Sequence, residues 1–166
     1  MARTIFQHLR DEEKDVYKSV LASLAQEKRL RPVFVQRKSV PQQIQWMYDT
    51  CKLKVADSVA EHTIQIWLLK AKKDLLTDFL KAMGIEHDED GTVEDLPEKL
   101  DEKKLKSTIT KLLKKNNAEE LTLYLHMFQL QQPGGWDTLA NLIESDDRLY
   151  LGEKPAADDS ASEEEE

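Results

Sequence analysis

At 166 residues, 40% of them hydrophobic, the chain is long enough to bury a core, and its 24 Lys and Arg against 32 Asp and Glu leave a formal net charge of −8. No apolar run reaches the roughly 20 residues that a membrane span requires, and residues 1–10 have no apolar core of the kind a secretion signal uses. Cys51 is the only cysteine, which excludes an internal disulfide and an all-cysteine metal site.

Along the chain, glycines and prolines separate segments whose apolar residues recur at helical rather than alternating spacing. In DEEKDVYKSVLASLAQEKRL, Val16, Val20, Leu21 and Leu24 share one face. Acids crowd the first turn and Lys28 and Arg29 the last, as the helix dipole favours, and Pro32 stops the helix. The next stretch, RPVFVQRKSV, is β-branched and basic with no pairing partner nearby, and reads as an extended connection. Ser39 ahead of Pro41 starts a helix through Ile44, Met47, Tyr48 and Cys51.

Residues 55–83 are the longest periodic stretch, with Val55, Val59, Trp67, Leu75, Phe79 and Met83 among the apolar positions, and Gly84 ends it. Asp101 is the expected N-cap of a helix with Leu105, Ile109, Leu112 and Leu113 on one side, closed by Asn116 and Asn117. AEELTLYLHMFQLQQ supplies another helix up to Pro133, and a short one runs from about Trp136 to Ile143. Beyond RLYLG the chain is too polar and charged to repay the entropy of ordering. The expectation is an all-α fold, a compact bundle or short helical repeat of stacked hairpins with about six or seven helices. One helical domain over residues 1–152 is expected, followed by a disordered acidic tail over 153–166, which holds most of the net negative charge.

The chain carries a candidate internal repeat. At an offset of 45 residues, TIQIWLLKAKKDLLTDFLKAMGI (63–85) lies over TITKLLKKNNAEELTLYLHMFQL (108–130) without a gap. Thr63 matches Thr108, Ile64 matches Ile109, Leu76 matches Leu121 and Leu80 matches Leu125. Amphipathic Leu/Lys-rich helices produce such matches by periodicity alone, so two stacked hairpins and simple coincidence both stand. The alignment places Asn116 and Asn117 opposite Ala71 and Lys72, where the long stretch would break into two helices.

No catalytic signature is present. His8, His62, His87 and His126 form no HExxH or Glu-x-x-His pair, and GxGxxG, P-loop and GxSxG sequences are missing. Cys51 and His62 as a nucleophile and base have only their presence in favour. No catalytic residue and no cofactor are assigned. The sharpest motif is the acidic stretch IEHDEDGTVEDLP. With Gly91 at position 6 of a calcium loop, Glu86, Asp88, Asp90, Thr92 and Glu94 fall on ligand positions. Position 12 is then Pro97, which offers no oxygen where a bidentate Glu belongs, so this is a weak metal candidate.

Two basic stretches are candidate contacts for an anionic partner: Arg29, Arg31, Arg37 and Lys38 in an acid-free run, and Lys103, Lys104, Lys111, Lys114 and Lys115 on one flank of a helix. The lysine flank has no aromatic or Arg interleaving of the kind that suggests base stacking. The expected function is that of a non-catalytic, cytoplasmic helical protein binding another protein, with no membrane partner. The alternative is a nucleic-acid-associated regulator that uses the lysine face, with the acidic tail as electrostatic mask. Trp46, Trp67 and Trp136 are the large anchors for a core or an interface, with Trp67 assigned to the core.

Overall fold

The computed structural model describes residues 1–152; the expected disordered acidic tail over 153–166 lies outside them. Among the described residues the chain is all-α, with α1 (Ala2–Glu12), α2 (Lys14–Glu27), α3 (Pro32–Gln36), α4 (Val40–Cys51), α5 (Asp57–Ala71), α6 (Lys73–Met83), α7 (Glu102–Leu112), α8 (Ala118–Gln129) and α9 (Asp137–Ser145), and a 3-10 turn at Lys54–Ala56. The backbone groups into two compact units, Met1–Pro97 and Glu98 onward.

The nine helices among the described residues exceed the expected six or seven for three local reasons. The segment read as one helix from Asp11 is interrupted at Glu13 (φ −127, ψ 59), so Asp11 and Glu12 close α1 instead of opening α2. There Asp11 accepts from Gln7 Nε2 and Arg10 Nη1, both at 2.8 Å, which holds its carboxyl below the usual range. RPVFVQRKSV is not an extended connection: Pro32 sits in the first turn of α3, where its fixed φ suits a helix, and Val35 is buried beneath it. The stretch 55–83 breaks at Lys72 (φ −128, ψ 27), where the 45-residue offset places a break.

In the first unit, α1 packs on α2, α4 and α5, and α2 also packs on α3, α4 and α5. Leu9, Leu21, Leu24 and Met47, all fully buried or nearly so, form its interior. Ser39 and Gln42 make a capping box at the start of α4, with the Ser39 N–H donating to Gln42 Oε1 at 3.2 Å.

In the second unit, α9 packs against both α7 and α8. Asp101 caps α7 as expected, its Oδ1 accepting from the Lys104 N–H at 2.7 Å. The two asparagines expected to close α7 divide the work. Asn116 Nδ2 donates to the Leu112 carbonyl at 3.1 Å, whereas Asn117 Oδ1 accepts from the Glu119 and Glu120 N–H groups and so opens α8. Trp136, buried with its ring stacked 4.9 Å from that of Phe128, seats α9.

Candidate interaction surface

The exit from α2 carries the most unusual backbone of the first unit. The Leu30 N–H donates to the Ala25 carbonyl at 2.8 Å and the Arg29 N–H to the Gln26 carbonyl at 2.8 Å, the paired bonds of a Schellman ending. The residue in the left-handed position is Arg29, at φ 54, the only non-glycine residue with positive φ among those described. A side chain there costs about 1 kcal/mol that glycine would avoid.

This ending throws the chain outward. Leu30 and Val33 are each 41% exposed and Phe34 is 57% exposed, while Val35 alone of the nearby apolar side chains is buried. Lys28, Arg29, Arg31, Arg37 and Lys38 are exposed around them, and none makes an ion pair with a described residue. Three exposed apolar side chains and five cations without an ion pair to a described residue therefore share one eleven-residue segment with no acid in it.

The segment is held at its far end by Gln43 of α4. Its Nε2 donates to the carbonyls of Gln36 at 3.1 Å and Lys38 at 2.8 Å, and its Oε1 accepts from the Tyr17 hydroxyl of α2 at 3.0 Å. One amide thus ties α2, the end of α3 and the turn into α4, and with Val35 it fixes how the exposed face is presented. Burying Val35 contributes about 2 kcal/mol.

The other basic candidates lie in the second unit. Lys103, Lys104 and Lys111 are exposed on α7, but α7 ends at Leu112, so Lys114 and Lys115 belong to the turn that follows and not to a helical flank. Lys106 pairs with Glu102 at 2.6 Å, an i,i+4 bridge on the same helix. Leu113, expected on the core side, is half-buried in the same turn.

The acidic stretch closes on itself without assembling a cation site. The Thr92 carbonyl, which a calcium loop would turn toward its metal, accepts from the Asp88 N–H at 2.8 Å. Asp90 Oδ1 accepts from the Thr92 N–H at 2.9 Å, and this bond keeps its carboxyl below the usual range. His87 Nδ1 lies 2.8 Å from the Ile85 carbonyl, which can only accept, so that nitrogen carries the proton. Glu86 and Glu94 are exposed on the rim of a surface groove of about 590 Å³ that also includes Lys81. Among the described residues, no group of three or more His, Cys, Asp or Glu is placed to hold a metal ion.

Gly91 has a different explanation. It is buried at φ 88, and a Cβ there would lie 3.0 Å from the Cβ of Leu76 on α6, so the glycine lets the loop lie directly on that helix. No helix forms between Gly84 and Asp101.

Cys51 is half-buried, and burial pushes its thiol up to about 11, away from the thiolate a nucleophile needs. Of the three tryptophans, Trp67 and Trp136 are buried and Trp46 is half-buried. No helix among the described residues is long and apolar enough to cross a membrane. Compared with protein-family models, curated proteins and solved structures, the chain matches none.

Arg29, Arg31, Arg37 and Lys38 were legible in the sequence as cations; Leu30, Val33, Phe34 and Gln43 were not legible as their companions. The available signal was local. A single helical turn bounded by Pro32 can bury about one side chain, so the other apolar residues beside it had to remain at the surface.

Proposed function

We propose that the chain is a non-catalytic intracellular interaction module that binds another protein through the face built by the α2 exit and α3. The observation that carries this reading is the joint exposure of Leu30, Val33 and Phe34 among five cations with no ion-pair partner among the described residues. Clustered exposed apolar side chains beside charged ones are characteristic of protein contact surfaces, and scattered single ones are not. A strained Arg29 where glycine would be easier is a second support, since strain is retained where a side chain has work to do.

Affinity capture from the source cell tests the reading, using the full chain and a chain lacking residues 153–166, each with and without nuclease. The expected result is a protein partner that survives nuclease. Recovery of nuclease-sensitive material alone would replace the reading with the second one, a nucleic-acid-associated regulator. That second reading is favoured by Lys103, Lys111 and Lys114, which are exposed and make no ion pair with a described residue. It predicts a salt-sensitive gel shift that strengthens when residues 153–166 are removed.

A further inference from the structure

From the make-up of this face we infer the chemistry of its partner: a short acidic segment that carries large apolar side chains. The inference rests on the interaction-module reading and narrows it to one class of ligand.

Each half of the face excludes one kind of ligand. A purely anionic ligand would satisfy the cations but leave Leu30, Val33 and Phe34 in water; a nucleic acid could stack a base on Phe34 but would still leave the aliphatic Leu30 and Val33 uncovered. A purely apolar ligand would bury the face at the cost of desolvating cations that make no ion pair with a described residue. A segment with carboxylates and large apolar residues meets both demands.

An anionic bilayer has the same mixed chemistry and differs in extent. A flat membrane surface also meets the acids that border the run, Glu27 among them, on a chain of net charge −8. A short segment can lie along the run from Lys28 to Lys38, which contains five cations and no acid.

The backbone supports use of the face in place. At the end of a helix the residue after the left-handed position commonly packs back on the last turn. Leu30 occupies that position and is 41% exposed instead, while Gln43 and Val35 hold the rest of the segment still. Binding then orders few additional side chains, which limits its entropic cost.

The test uses the full chain and fluorescence anisotropy of four probes: a synthetic peptide alternating Glu with Leu and Trp, a poly-glutamate peptide of equal length, a single-stranded oligonucleotide, and vesicles of phosphatidylcholine with phosphatidylserine. The alternating peptide should bind tightest, and its affinity should fall with salt. Phe34→Ser and the pair Arg31→Glu with Arg37→Glu should each weaken it by about tenfold or more. All three positions are exposed, so these variants should keep the wild-type melting curve, and Lys111→Glu with Lys114→Glu should keep wild-type binding.

Poly-glutamate bound as tightly as the alternating peptide, or tighter binding of the oligonucleotide or the vesicles, would overturn the inference. So would unchanged peptide binding in either variant. The broader reading fails separately. Capture of a protein partner that Arg31→Glu with Arg37→Glu does not release would keep the module and remove this face, whereas no captured protein at all would remove the module.

Discussion

Two helices of the first unit end with the same hydrogen bonds and opposite consequences. At α6 the Gly84 N–H donates to the Lys81 carbonyl and the Ile85 N–H to the Leu80 carbonyl, as Arg29 and Leu30 do at α2. Gly84 takes the left-handed position at φ 70 without a steric cost, and Ile85, next along, is buried. The chain then enters the acidic stretch, which lies down on α6 through Gly91. At α2 the left-handed residue is Arg29, the next residue Leu30 stays exposed, and the chain leads into a basic turn that presents apolar side chains outward. A helix ending can thus be spent on stability or on presentation, and the residue in one backbone position shows which.

Substitutions in these two exits should separate the cases. The largest effect is expected at Gly91→Ala, where a left-handed backbone and a Cβ 3.0 Å from that of Leu76 combine to cost about 2 kcal/mol, read as a lower midpoint in urea. Gln43→Leu should follow, at about 1.5 kcal/mol, because it leaves the Tyr17 hydroxyl and two carbonyls without their partner. It should also loosen α3, which hydrogen exchange of the Arg37 and Lys38 amides would detect.

Gly84→Ala should cost about 1 kcal/mol, the ordinary penalty for a side chain in that conformation. Arg29→Gly is the mirror experiment. It should raise stability by about 0.5 kcal/mol, since the relief of strain outweighs the added freedom of the unfolded chain, while weakening the alternating peptide. A loss of stability in this variant would break the comparison.

The smallest effect concerns acid. Hydrogen bonding from Thr92 lowers the folded-state pKa of Asp90 beneath its unfolded value, so its contribution is present above about pH 4 and is lost as pH falls through the folded value. The melting temperatures of wild type and Asp90→Asn should therefore differ at pH 7 and converge in acid.

Much of the fold could be read directly from residue spacing. The all-α class, the caps at Asp101 and Gly84, and burial of Trp67 each depend on neighbours within a turn or two, where periodicity and capping chemistry decide. Comparing the chain with itself left one helix or two open over 55–83, and the structure has two, broken at Lys72. α3 was missed because a five-residue helix is held by tertiary packing and not by its own periodicity. In α1, Ile5, Phe6 and Leu9 stand at the i, i+1, i+4 spacing of one helix face, a local signal for this helix, and are buried through its contacts with α2, α4 and α5. The acidic stretch matches a calcium loop at its glycine and alternating carboxylates but not at Pro97, and Gly91 serves contact with Leu76.

Sequence by itself determined that the chain is helical and that Lys28 to Lys38 is an acid-free basic run, because composition and 3.6-residue periodicity are properties of the chain alone. Only tertiary structure decided which apolar residues of that run are withheld from the core. Burial depends on what other helices bring alongside, and at α3 they offer room for Val35 and leave Leu30, Val33 and Phe34 at the surface.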